Sequence, residues 1–452
     1  MKSIRSLMDT AWQRMCFCLT VLFIFGSAVF AGAEDYGLET YLAKVKGNNL
    51  DLALAAKELE LAKQYVNQAR SAFFPVIAAQ GGYTRNFLNR EESRAVASQG
   101  GGGPLIFQKV DVNYDNELSF GVGLTQTIFD AGAIAAYGQA KKGQSIQEQA
   151  FEASRRNITT IAKKMYVQNQ LAQRLVTILE GSEQISFEIY QSTERKYRAG
   201  TATELELLMA EVDWKNRSPQ TIEARKNADL AMIAFKKLAG IPASETVSLT
   251  ESRESLPALP DEQGLERILA TRPDYRALVL SRELADIEKK AALGAFAPKL
   301  SGSFSYAAGG MGNAASFIDA YDYSLMQLDL TLTVPLFTGT YRLSKVKEAR
   351  IEQEKADLSL ARKRDAIESE LSEIRLRLKE AAERIKSAQL TEGMARRAVT
   401  LSQNAYANGL VTQLSVNQAI DNLSQASLGF QNAIYEYLSA WYDWELAAGI
   451  AE

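Results

Sequence analysis

The sequence predicts a mainly α-helical, internally duplicated chain that also carries a small set of membrane-type β-strands. Three observations predict it: two very long helical stretches without proline, alternating strand segments ahead of each, and a repeat that keeps these parts in order.

The first 33 residues stand apart from that plan. "MKSIRSLMDTAWQRM" carries three basic residues against one acid, "CFCLTVLFIFGSAVF" is apolar, and "AGA" precedes Glu34. This is the n-region, apolar core and small-residue cleavage site of a secretory signal. A transmembrane anchor is the rival reading, but the apolar core is short and ends in small residues. Cys16 and Cys18 leave with the signal, so the mature chain is expected to hold no disulfide and no terminal Cys to acylate. Loss of Lys2, Arg5 and Arg14 together with Asp9 takes the net charge from −3 to −5. Mild acidity argues against a nucleic-acid partner.

The chain has no histidine. Without His and mature Cys, zinc and copper sites are disfavoured and the commonest general base is missing. No pair of acids stands out from solvated helix faces, and no G-x-x-x-x-G-K-[ST] loop is present. The expectation is no catalytic residue, no cofactor and no metal.

The duplication sets the organisation. Glu60, Leu61, Ala62, Ala69, Phe73, Pro75 and Tyr83 fall on Glu283, Leu284, Ala285, Ala292, Phe296, Pro298 and Tyr306 at an offset of 223. "LTQTIF" answers "LTVPLF" at 208, and Tyr197, Gly200, Thr203, Leu205 and Ala210 answer Tyr406, Gly409, Thr412, Leu414 and Ala419 at 209. Residues 34–241 form the first repeat: helix, strand pair 76–129, long helix 133–199, tip 199–203, helix 204–240. Residues 265–452 form the second: helix, strand pair 299–337, long helix 341–408, tip 408–412, helix 413–450. Residues 242–264 read as the linker, with three of the nine prolines. The longer spacing inside the first strand pair lies in a polar, Gly-rich stretch after Thr84, read as a loop.

The strands alternate. Leu118, Phe120, Val122, Leu124 and Ile128 share one face against Ser119, Gly121, Gly123, Thr125 and Thr127, with Gln126 the exception. Met326, Leu328, Leu330, Leu332 and Val334 oppose Gln327, Asp329, Thr331 and Thr333, and Leu300, Phe304 and Tyr306 oppose three serines. Such segments approach the roughly 9–11 residues that cross a bilayer as tilted barrel strands. A soluble sheet on a core is the commoner use of this pattern, but four strands here lack an obvious helical lid. If they lie in a membrane the chain must oligomerise, because the known bacterial barrels need about eight strands or more.

Each proline-free stretch would run roughly 100 Å at ~1.5 Å per residue. In the second, Ile367, Leu371, Ile374, Leu378, Ala381, Ile385 and Ala388 follow the alternating 4,3 spacing of a coiled-coil seam. Gly200 and Gly409 fit the left-handed residue that ends a helix. Thr203 with Glu206 is a capping box that restarts the helix, Thr412 with Ser415 a weaker one, and Pro219 is expected to kink the helix it sits in.

"ARSAFFPVI", "GLTQTIFDAG", "LTVPLFTGT", "YRAGTATELE" and "YANGLVTQLSV", in duplicated order over nearly all of residues 34–452, resemble the TolC-like outer-membrane efflux proteins. The resemblance implies a homotrimer in the outer membrane of a Gram-negative-type cell. Four strands per chain would contribute to a twelve-stranded outer-membrane β-barrel in contact with lipid, above a periplasmic α-barrel of antiparallel coiled-coil helices. It implies a passive exit duct for tripartite efflux or type I secretion, working with a periplasmic adaptor and an inner-membrane pump. Arg198, Gly200, Thr201, Gly409, Leu410 and Val411 would then form adaptor-contacting tips. Arg195, Lys196 and Arg198 equally fit a cluster favoured by the helix C-terminus. The family narrows its tunnel near the tips with side chains that are often acidic. Glu206 matches in the first half, while Ser415 and Gln418 stand where acids are common, with Asp421 further on. Glu206 thus has two readings, cap and constriction, and a strong carboxylate ring is not expected. The rivals are an exported coiled-coil structural or adhesive protein and an exported carboxylate hydrolase.

Overall fold

A computed structural model describes residues 34–88, 91–96, 106–111, 114–250, 256–261, 263–313 and 321–450. The signal sequence expected at residues 1–33 lies outside them. The elements, in order, are β1 (Glu34–Tyr36), α1 (Leu38–Asn48), α2 (Leu50–Ser71), β2 (Val76–Arg85), β3 (Glu91–Val96), β4 (Ile106–Asp111) and β5 (Asn116–Phe129), then α3 (Ala131–Arg198) and α4 (Glu204–Ala239). The second half follows with β6 (Val247–Leu249), α5 (Leu265–Thr271), α6 (Pro273–Gly294), β7 (Lys299–Gly312), β8 (Tyr321–Thr333), α7 (Tyr341–Ala407) and α8 (Gln413–Ala447). No helix among the described residues is long and apolar enough to cross a membrane.

The chain divides into two compact units. One comprises residues up to Ala53, Arg155–Glu262 and Leu371–Glu452; the other comprises Leu54–Ser154 and Gln263–Glu370. The helices α3 and α7 contribute to both.

The first unit owns the larger cores. Tyr41 stacks on Phe235 with ring centroids 3.7 Å apart and donates its hydroxyl to the Phe235 carbonyl at 3.1 Å. Tyr166 donates to the Tyr36 carbonyl at 3.0 Å, so both phenols are satisfied inside an apolar cluster with Leu38, Val45 and Ile158. Strand β1 pairs in parallel with β6. The segment read as a linker therefore contains a strand, too short for alternation to show. Along α7, Ile367, Leu371, Ile374, Leu378, Ala381 and Ile385 are buried, as the seam predicts, and Ala388 is half-buried. The helix α4 runs unbroken through Pro219.

The second unit carries an antiparallel sheet of order β2-β5-β7-β8. Its register keeps like with like across all four strands. Ile77 pairs Leu124, Leu124 pairs Phe304, and Phe304 pairs Leu328 on one face; Val76, Thr125, Ser303 and Asp329 form a row on the other. Because side chains alternate along every strand, one face is apolar and the other is mostly small and polar, with Val76, Leu325 and Tyr323 as its larger members. The apolar face is uncovered: Leu328 is 82 %, Ile77 68 % and Met326 67 % exposed. Gln126, the exception to the alternation, donates to the Phe73 carbonyl at 3.0 Å and tethers the end of β5 to the chain before β2. The stretch read as a loop between β2 and β5 instead includes the hairpin β3–β4, in which Glu91 pairs Asp111. Its polar composition hid the pairing.

Candidate functional site

The site is built from the two glycine turns. At the first, the Gly200 N–H donates to the Tyr197 carbonyl at 2.9 Å and the Thr201 N–H to that of Lys196 at 2.8 Å, closing α3 with Gly200 at φ 73°. At the second, Gly409 donates to Tyr406 at 3.0 Å and Leu410 to Ala405 at 2.9 Å, with Gly409 at φ 72°. Both are Schellman turns, which satisfy carbonyls that a helix end leaves unpaired.

The restarts differ. Thr203 accepts from the Glu206 N–H at 3.2 Å, and the Glu206 carboxylate accepts from the Thr203 N–H at 2.7 Å, completing a capping box. The Thr203 backbone and hydroxyl donors hold the Glu206 carboxyl below its ordinary value. At the second tip Thr412 makes no side-chain bond to the backbone; its hydroxyl lies 3.2 Å from that of Ser415. The weaker box expected there is a hydroxyl pair, because the serine side chain is two carbons shorter than glutamate and does not reach back as Glu206 does.

The helices bearing the tips touch each other. The Lys196 ammonium sits 4.3 Å from the centre of the Tyr406 ring, and the Thr193 and Tyr406 hydroxyls are 3.4 Å apart. Behind them Ile189, Val399, Val416, Ala419 and Ile420 form a buried apolar cluster. The outer surface stays open: Gly200, Thr201 and Gly409 are exposed, Leu410 is 77 % exposed, and nothing within 4 Å would meet a Cβ at either glycine. Arg198 bonds Glu194 one turn back at 2.7 Å.

The four constriction candidates have distinct surroundings. Glu206, Ser415 and Gln418 are exposed. Asp421 is half exposed and accepts from Arg217 at 2.9 Å. Arg217 is itself buried; it also donates to Ser182 at 2.9 Å and lies 3.3 Å from Asp213. Sequence reasoning did not single out Arg217. Its one local signal is the i,i+4 spacing from Asp213, which is too common on helices to be read.

Two chain halves with matching glycine turns and four strands leading into long helices make a specific pattern. Residues 42–241 and 264–449 match the outer membrane efflux protein family. The chain belongs to that family. Among relatives of this efflux protein, the alkaline protease secretion protein AprF of Pseudomonas aeruginosa is 23 % identical over 414 residues, covering 90 % of this chain and 82 % of the relative. Outer membrane protein TolC of Vibrio cholerae is 20 % identical over 436 residues, covering 93 % and 92 %. The fold is that of the Campylobacter jejuni CmeC outer membrane channel, with a TM-score of 0.74 at 19 % identity over 92 % of this chain and 86 % of that one. As a family member, the efflux protein is placed in the outer membrane.

Proposed function

We propose that three copies of this chain close into an outer-membrane exit duct that passively conducts substrates delivered by an inner-membrane pump through a periplasmic adaptor. The observation that carries this is the uncovered apolar face of a sheet whose outer strands, β2 and β8, each have one free edge. Leaving that face in water costs about 25 cal/mol per Å² of apolar surface, and open edges invite further pairing. Lipid on the apolar face and pairing of β8 with β2 of the next copy remove both costs. The four strands of one chain cannot close; three copies bring twelve, an even antiparallel ring. The relative AprF, an alkaline protease secretion protein, supports an export role of this kind.

In this reading the exposed tip residues Arg198, Gly200, Thr201, Gly409, Leu410 and Val411 meet the adaptor. Glu206, Ser415, Gln418 and Asp421 line the narrowing behind them. With Asp421 paired to Arg217, the narrowing is polar and only weakly acidic. No step of catalysis is assigned. The test is fractionation and mass. The protein should pellet with outer membranes, require detergent for extraction and run at the mass of three chains. A detergent-independent monomer would support the exported coiled-coil alternative instead.

A further inference from the structure

We propose that Asp329, on the polar face of β8, sets a cation preference in the strand-built part of the duct. The inference rests on the trimeric reading above and goes beyond it, because it places ion discrimination at the strands in addition to any at the helical tips.

The polar face carries little charge. Between its ends it is built mostly of serine, threonine, glycine, alanine and glutamine, with Val76, Leu325 and Tyr323 the larger apolar or aromatic members, and Asp329 is the one charged side chain there among those described. At the ends, Glu117 accepts from Asn86 at 2.8 Å and Lys299 pairs with Asp130 at 3.0 Å. Among the described residues Asp329 has no such partner: its register neighbour is Ser303, flanked by Ser301 opposite Thr331 and Ser305 opposite Gln327. Beyond Ser303 the row continues to Thr125 and Val76, so no basic residue reaches it across the sheet.

Nor does closure supply one. The free edge of β8 would meet β2 of the next copy, and β2 presents Val76, Ala78, Gln80, Gly82 and Thr84 on the polar face. Arg85, at the end of that strand, pairs Asn116 and bonds its side chain at 2.7 Å. Every copy therefore places one uncompensated carboxylate on the lumen side of the barrel, and symmetry repeats it at one level. A ring of like charge concentrates cations and repels anions. At the tips, by contrast, Asp421 is paired to Arg217, and Glu206 keeps its charge while bonded to its own cap. The reach of the ring follows the Debye length, about 10 Å at 0.1 M salt and about 30 Å at 0.01 M, so the preference is strongest in dilute salt.

The experiment is a reversal-potential measurement on the full-length protein in planar bilayers across a KCl gradient centred near 0.01 M. The wild type should pass potassium in preference to chloride. Asp329→Asn, which keeps the side-chain shape, should lower that permeability ratio by about twofold or more, and Asp329→Lys should carry it further towards chloride. Raising the salt to about 1 M, where the Debye length is about 3 Å, should remove most of the difference between variants. Should the lysine variant not assemble, the asparagine variant decides alone. A conducting wild type whose Asp329→Asn channel keeps the same reversal potential overturns the inference and leaves the duct intact. A wild type that forms no channel overturns the duct reading, and this inference with it.

Discussion

Arg217 on α4 and Asp421 on α8 form an ion pair 2.9 Å long between helices from opposite halves of the chain. Arg217 is 8 % exposed, while the aspartate side chain is half in solvent. The pair therefore combines a buried cation that must be neutralised with an acid that water partly screens.

Arg217→Ala should lower stability by about 1–3 kcal/mol, below the ~3–5 kcal/mol of a fully buried broken pair because solvent screens Asp421. Asp421→Asn should cost about 1 kcal/mol or less, since Asp213 and Ser182 still hold the guanidinium. In urea melts of the detergent-solubilised protein, the double variant should be less destabilised than the sum of the singles. Simple additivity would show that the pair carries no coupling.

The tip glycines are held by backbone conformation alone. Because nothing within 4 Å of either would meet a Cβ, Gly200→Val and Gly409→Val should each cost about 1–2 kcal/mol of left-handed strain, with the Asn variants milder. Gly240 differs: at φ 63°, an added Cβ would also meet the Asn48 Cβ at 3.0 Å and its carbonyl oxygen at 3.1 Å. Gly240→Ala should therefore destabilise more than Gly200→Ala. Equal melting shifts would contradict this ordering.

Glu206 separates cap from constriction by a single change. Glu206→Gln keeps an acceptor for the Thr203 N–H, so stability should hold within about 0.5 kcal/mol, whereas Thr203→Ala should cost about 1 kcal/mol. Single-channel recordings should show cation selectivity dropping in Glu206→Gln. Unchanged selectivity removes Glu206 from the constriction and leaves it as a cap.

Acid sensitivity should trace to Asp274. Burial pushes its carboxyl upward, but hydrogen bonds and charge from Arg272 and Lys363, each 2.8 Å away, outweigh that and hold it far below the usual carboxylate range. A depressed folded-state value means the unfolded chain binds the proton more readily. The contribution is complete above the unfolded value near about pH 4 and is lost as pH falls below it towards the depressed folded value. Asp274→Asn should thus melt below wild type by a constant margin from about pH 7 to about pH 5, and the margin should close under about pH 4. A margin that widens on acidification would reverse the assignment.

Much of the fold was legible because it rests on near neighbours in the chain. A glycine takes positive φ for steric reasons local to Gly200 and Gly409, and the Thr203–Glu206 box spans one turn. The buried seam from Ile367 to Ile385 follows from helical period alone. The strand faces likewise followed from period two, and Gln126 broke the pattern because its amide bonds a carbonyl outside the strand. Less could be read where pairing is distant or short. The three-residue β1–β6 ladder carries too few side chains to show a period, and β3–β4 is built of residues that equally suit a loop.

The order of elements, their duplication, the positions of both turns and the two-faced character of the strands are written in the sequence, since each depends on backbone sterics and side-chain period within a few residues. Which charges cancel is not. That Asp421 meets Arg217 while Asp329 has Ser303 as its register partner depends on helix approach and strand register, long-range geometry to which a one-dimensional pattern of acids and bases is blind.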